Sequence, residues 1–169
     1  NSLASIREIV LENPDYAADL IFDFTTHLRA CIKSMASEEF TSFAQEIENI
    51  KAYVNIEKMR FGDKLQVKYE IQESDIMIVP LSIQPLVENA IYHGIKYKET
   101  KGNLKIYARP VDGRVEIVVA DDGIGMDEDV MEHIFDEHRK EQKRHGVGVP
   151  DVQQRLKLQY GTENGIRSE

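Results

Sequence analysis

Asp121-Asp122-Gly123-Ile124-Gly125 is the stretch that decides how this chain reads, with Pro85-Leu86-Val87-Glu88-Asn89-Ala90 before it and Gly146-Val147-Gly148-Val149 after it. Val115, Ile117 and Val119 alternate along a strand that runs into Asp121, so a carboxylate stands at the end of a strand. An ionised Asp only accepts hydrogen bonds, which suits an exocyclic amino group such as that of adenine. Gly123 and Gly125 allow a flat ring to approach the backbone. Asn89 offers an amide oxygen, a hard ligand that Mg2+ takes alongside phosphate oxygens and water. His93 lies four residues on and shares its helix face. Gly146, Gly148 and Val149 lead into a helix at Pro150, and amides at a helix start attract anions. Singly, each piece also describes an ordinary loop or a partly buried histidine. Their order points to nucleotide binding, without the Gly-x-x-x-x-Gly-Lys of a P-loop.

Working outward, Leu3, Ile6 and Val10 recur at helical spacing until Asn13-Pro14, where Asn13 suits an N-cap and Pro14 the first helical position. A second helix is predicted over about residues 14–35. Its Ile21, Phe24, Leu28, Cys31 and Met35 form a heptad seam that seeks partner helices, so a homodimer through the N-terminal helices is expected. Packing of the seam on the chain's own globular part is the competing expectation. A third helix is predicted over about residues 42–61, with Ser42-x-x-Gln45 as a capping box and Gly62-Asp63 as its stop. Leu65, Val67 and Tyr69 then alternate as a half-buried strand, and Ile76-Met77-Ile78-Val79 is a short candidate strand. Residues 85–97 read as a helix. Leu104, Ile106 and Ala108, then Asp112-Gly113, then Val115 signal a hairpin. A short acidic helix is predicted over 127–135 and a last helix over 151–160, stopped by Gly161. Arg139, Lys140, Lys143 and Arg144 form a basic run that is either a solvated stretch or a lid over a triphosphate.

The net charge of −9 argues against nucleic-acid binding, which needs clustered Lys and Arg. It also makes an anionic ligand depend on a metal and on local donors. The single cysteine, Cys31, excludes an internal disulfide and reads as a buried thiol. No signal peptide and no apolar run long enough to span a bilayer is apparent.

Gln84-Pro85-Leu86-Val87-Glu88-Asn89-Ala90-Ile91 resembles the Asn box of the LytS-type sensor histidine kinases of bacteria. Residues 52–61 are similar to that family's connecting helix and 152–161 to its closing helix. The resemblance implies an α+β fold, a two-layer sandwich of a mixed sheet with helices on one face, preceded by a helical hairpin. Residues 1–39 would be part of the dimerisation and phosphotransfer hairpin, and 40–169 the ATP-binding domain without its last strand. It implies ATP and Mg2+ as cofactors, with Asn89 on the metal and Asp121 on adenine. Gly123 and Gly125 would line the base, Gly146, Gly148 and Val149 would meet phosphates, and His93 would contact the nucleotide. Tyr92 departs from the pattern, which often has a basic residue there, and Asp151 stands where Asn is usual. The phosphoacceptor histidine would lie upstream of Asn1, so His27 is not expected to carry it. A response regulator is the implied partner. The chain would be the cytoplasmic portion of a receptor whose membrane part lies upstream.

Other functions of the same fold remain open at this point. A hydrolytic ATPase places a Glu one turn before the Asn, where this chain has Pro85. Glu88, adjacent to Asn89, is a weak catalytic candidate. An ATP-binding switch or serine kinase, and a degenerate dimerisation module without ATP, are the further alternatives.

Overall fold

The computed structural model describes residues 2–36, 39–73, 75–127 and 148–167. Two helices come first, α1 (Ser2–Glu12) and α2 (Pro14–Ala36). The Asn13 side chain accepts the Tyr16 N–H at 3.1 Å, the expected cap. A two-residue strand β1 (Thr41–Ser42) leads into α3 (Phe43–Phe61). Half of the expected capping box forms. Gln45 N–H donates to Ser42 Oγ at 3.2 Å, while the Gln45 amide bonds Asn49 instead of returning to the cap. Gly62, at φ 56°, ends α3 in a single 3-10 turn over Gly62–Lys64.

The main sheet has three strands, β2 (Leu65–Ile71), β4 (Gly102–Val111) and β5 (Arg114–Asp121), in the order β2-β4-β5. β2 and β4 are parallel, β4 and β5 antiparallel, so the sheet is mixed. β3 (Met77–Ile78) pairs instead with β1 in a separate two-stranded ribbon, a partnership no periodicity announced. The β4–β5 hairpin closes through Asp112 (φ 49°) and Gly113 (φ 76°). Two successive positive φ values match the right-handed strand twist, and Asp-Gly adopts them readily.

One face of the sheet is apolar. Leu65, Leu104, Ile106 and Ala108 pack with Phe43, Ile47, Ile50 and Val54 of α3 and with Val87, Ile91 and Ile95 of the next helical segment. The charged face carries Lys68–Glu70, Lys105–Glu70 and Arg109–Glu116 pairs. This is the two-layer arrangement expected, with helices on one face.

Two expectations need correction. The segment predicted as one helix over 85–97 begins a residue earlier, as α4 (Gln84–Asn89), and continues as a π-helix over Ala90–Ile95. Its wide turn is closed by Lys96 N–H donating to Ile91 C=O at 2.9 Å. The heptad seam of α2 also divides. Phe24 and Cys31 are half-buried against this chain, beside buried Ala17 and Leu20, while Ile21 and Leu28 are exposed with Phe22 and Ile32. The Met35 side chain lies outside the described residues. α2 is apolar on two faces, and a single line drawn through both could not separate them.

Candidate functional site

The site grows from the end of β5. Pairing with β4 runs as far as Leu104↔Asp121, and the chain then turns across the mouth of the sheet. The two aspartates do different work there. Asp122 is a clamp: its carboxylate accepts the Asn103 N–H at 2.7 Å, the Asn103 side-chain amide at 2.6 Å, and the Lys98 ammonium at 2.8 Å. Lys98, then Asn103, hold its carboxyl down at about 2. Asp121 instead accepts the Gly123 N–H at 2.9 Å through Oδ1 and keeps Oδ2 without a partner among the described residues.

Gly94, in the π-helix, packs directly against Asp121. A Cβ there would overlap Asp121 Oδ1, and a Cβ on Gly123 would overlap the Gly94 backbone. Ile124 N–H donates to Gly94 C=O at 3.2 Å, closing the contact. The missing side chain of Gly123 therefore makes room for Gly94. Around Gly125, by contrast, the space is open. Gly94 was not singled out from the sequence, although an isolated Gly inside a helical pattern was a usable signal.

Asn89 is the last residue of α4, and His93 lies in the π-helix beside Gly94; both are half-buried. The π turn keeps them about one turn apart, and the His93 ring meets the Tyr92 ring edge-on at 5.8 Å. The start of α4 is held by a residue the sequence did not expose as functional, Glu46 of α3. Buried to 2% exposure, its carboxylate accepts N–H bonds from Leu81 (2.9 Å), Ile83 (2.7 Å) and Gln84 (3.4 Å). An anion at a helix start is favourable, and this one also ties down Leu81 at φ 52°. Burial pushes the Glu46 carboxyl up, opposed by these backbone donors. A charged residue on the apolar stripe of Phe43, Ile47 and Ile50 was its sequence signal.

Glu88 is engaged within its own helix. Its carboxylate accepts from the Gln84 amide at 2.8 Å, and burial, with Glu57 nearby, raises its pKa. Pro85 stands one turn before Asn89. His27 packs its ring on Tyr53 at 5.4 Å with Nε2 3.8 Å from Cys31 Sγ, and burial lowers its pKa. Cys31 is half-buried rather than buried.

The last helix is α5 (Val149–Tyr160), two residues longer at its start than predicted. Gly148 is its N-cap, and the Gly148 N–H donates to the Asp151 carboxylate at 3.2 Å. Val149 is buried, facing inward. Gly146, the lid residues Arg139, Lys140, Lys143 and Arg144, and all but the first residue of the helix expected over 127–135 lie outside the described residues.

No group of three His, Cys, Asp or Glu converges on a metal among the described residues. Asn89 offers a single amide oxygen, the kind of hard donor that Mg2+ takes alongside phosphate and water oxygens. A groove of 390 Å³, lined by Ser42, Gln45, Glu48, Lys51 and Ile71 among others, shares no residue with the Asp121 loop. No helix among the described residues is long and apolar enough to cross a membrane.

The mixed sheet with helices on one face, and an Asp-Gly loop at its mouth beside the Asn-bearing helix, define the class: an ATP-binding α+β sandwich. The histidine kinase-, DNA gyrase B- and HSP90-like ATPase family matches residues 78–169, and a histidine kinase family matches residues 1–65. The sensor histidine kinase YpdA of Escherichia coli is 40% identical over 168 residues, covering 99% of this chain and 29% of its own length. The sensor protein LytS of Oceanobacillus iheyensis is 31% identical, covering 98% and 29%. The mycobacterial sensor histidine kinase MprB aligns with a TM-score of 0.54 at 17% identity, covering 74% of this chain and 81% of that one, a likeness of fold alone. The chain belongs to the histidine kinase-, DNA gyrase B- and HSP90-like ATPase family, as the ATP-binding catalytic region of a LytS-type sensor histidine kinase. It spans 29% of the length of the YpdA and LytS relatives it matches.

Proposed function

We propose that this region holds Mg-ATP and delivers its γ-phosphoryl group to a histidine outside residues 1–169, for relay to an aspartate on a response regulator. Asp121 would accept from the adenine amino group, with Gly123 and Gly125 beside the base. Asn89 would ligate Mg2+, His93 would contact the nucleotide, and Gly146, Gly148 and Val149 would meet the phosphates. Arg139, Lys140, Lys143 and Arg144 would close over them. Such transfer needs little covalent chemistry from the protein. It rests on positioning and charge stabilisation.

The observation that carries this proposal is the division of labour in the Asp-Asp pair. Asp122 is spent on Asn103 and Lys98, whereas Asp121 is fixed by Gly94 and Gly123 with one oxygen unpartnered among the described residues. Transfer to water is disfavoured, because Pro85 can do no acid–base work and Glu88 is held by Gln84. His27 is a poor acceptor, with its ring against Tyr53 and its Nε2 beside Cys31.

Residues 1–39 would belong to the dimerisation hairpin and 40–169 to the ATP-binding domain. Phe22, at 71% exposure, and Ile32, at 66%, with Ile21 and Leu28, form an outward apolar face on α2 that supports pairing with a second copy. The whole receptor would sit in a bacterial membrane, with this region on the cytoplasmic side.

Asp121→Asn tests the base assignment by calorimetry with Mg-ATP. Loss of a charged hydrogen bond, worth about 1.5–3 kcal/mol, lowers affinity roughly tenfold or more while the fold persists. Parent-like ATP affinity in a folded Asp121→Asn chain refutes it.

A further inference from the structure

We propose that the open edge of β2 is a self-association surface, on which a second copy of this chain adds its own β2 antiparallel, the two Tyr69 residues opposite each other. The surface lies apart from the nucleotide site and does not rest on the ATP assignment.

β2 has a neighbour on one side only, in the order β2-β4-β5. The parallel ladder fixes which residues face that neighbour. Gln72 N–H donates to Ala108 C=O at 3.0 Å, in a register that pairs Ile71 with Ala108. Main-chain groups alternate sides along a strand, so Lys68, Glu70 and Gln72 direct theirs to β4. Val67, Tyr69 and Ile71 turn theirs outward, where no hydrogen bond meets them among the described residues. Their side chains lie on the core face, yet all three are only half-buried, whereas Leu104, Ile106 and Ala108 beside them on β4 are at most 1% exposed. The core is closed over β4 and open along β2.

A row of unpaired donors and acceptors is a template for a further strand, and proteins usually block it with charge. Here the charges are self-complementary. A two-fold centred on Tyr69 pairs Val67 with Ile71 of the second copy, and each facing pair of outward residues exchanges its main-chain hydrogen bonds. The same register sets Lys68 opposite Glu70 of the second copy, on the charged face of the sheet. The Lys68 side chain is 72% exposed and that of Glu70 39%, so both are accessible from the edge. Centring the two-fold on Lys68 or on Glu70 would set like charges opposite each other, so charge selects the register. On the core face, a groove of 390 Å³ opens beside Ile71 against Ala44 and Ile47 of α3, where Val67 of the second copy arrives. β5, which carries Asp121, is the opposite edge of the sheet, so the nucleotide site stays open.

The test traps the register. Lys68→Cys and Glu70→Cys are made singly in a Cys31→Ala background, and thermal unfolding confirms that each is folded. Opposite residues at such a non-hydrogen-bonded position stand about 4.5 Å apart at Cα, within disulfide range, while copies of the same residue stand about 7–8 Å apart on the diagonal. With oxidised glutathione, the mixture of the two variants is expected to give a covalent dimer at least about tenfold faster than either variant alone. Sedimentation velocity gives a second reading without thiols. Lys68→Glu is expected to weaken self-association about tenfold, and Lys68→Glu/Glu70→Lys to restore it. Either variant alone cross-linking as fast as the mixture, no covalent dimer in the mixture, or self-association indifferent to Lys68→Glu overturns the proposal.

Discussion

Gly94→Ala sets two opposed effects against each other at one atom. Ala is favoured over Gly inside a helix by about 1 kcal/mol, so on helix propensity alone the substitution stabilises. The added Cβ, however, overlaps Asp121 Oδ1, and Gly123 leaves no room for the loop to back away because its own backbone rests on Gly94. Overpacking of this kind costs about 1–3 kcal/mol. The net effect on stability is thus near zero to about 2 kcal/mol unfavourable. The effect on binding is larger, because relief of the overlap moves the carboxylate itself. On the proposed role of Asp121 in holding adenine, losing that charged hydrogen bond would cost about 1.5–3 kcal/mol, a roughly tenfold or greater fall in ATP affinity. Calorimetry with Mg-ATP and thermal unfolding measure the two quantities separately. Gly113→Ala is the control: at φ 76° in the hairpin turn, it strains the backbone at the far end of β5 from Asp121. It lowers the unfolding midpoint and leaves ATP affinity alone. A Gly94→Ala protein that binds ATP like its parent would show that Gly94 does not position Asp121.

Glu46→Gln replaces one acceptor oxygen by an amide group facing backbone N–H donors at the start of α4, and it costs about 2 kcal/mol in urea unfolding. An unchanged midpoint would mean that the buried carboxylate does not hold α4. Asp122 carries a pH signature. Its pKa is depressed in the folded state from the ordinary 3.8 to about 2 by Lys98 and then Asn103, so its contribution is full above the unfolded value and is lost as pH falls through that window. Because the side chain is 44% exposed, solvent screens the pair and the contribution stays under about 1 kcal/mol. The stability gap between the parent and Asp122→Asn should hold steady from about pH 7 to 5 and shrink below about pH 4. A gap that widens with acid contradicts the clamp.

Much of the architecture was legible because it is local. Asn13 caps the helix it precedes, Ser42 caps α3, Gly62 and Gly161 stop their helices, and Asp112-Gly113 turns the hairpin. Each of these acts within about four residues of its partner, where side-chain chemistry and φ preference decide the outcome. The alternation of Leu65, Val67 and Tyr69 likewise announced which face of β2 meets the core. What failed were inferences that needed a partner from elsewhere in the chain. The α2 seam mixed residues of two faces, because apolarity does not say which neighbour a side chain meets. The π turn after Asn89 left no periodic trace distinct from an α-helix in so short a segment.

The candidate site divides in the same way. By itself the sequence determined that a carboxylate ends a strand, that Asn89 and His93 ride one helical segment, and that glycines precede the last helix. It could not say which of two adjacent aspartates is the clamp, since Asp121 and Asp122 are chemically identical until Asn103 and Lys98 claim one of them. Tertiary structure alone decided that Gly94 must lack a side chain, that Glu46 reaches across 35 residues to the Leu81 amide, and that Lys98 is claimed by the Asp122 carboxylate. The physical reason is range. Capping and pleating are fixed by bonds within a turn, whereas a site is assembled from atoms that only packing brings within a few ångströms. Which polar groups are spent and which remain for a ligand depends on that packing.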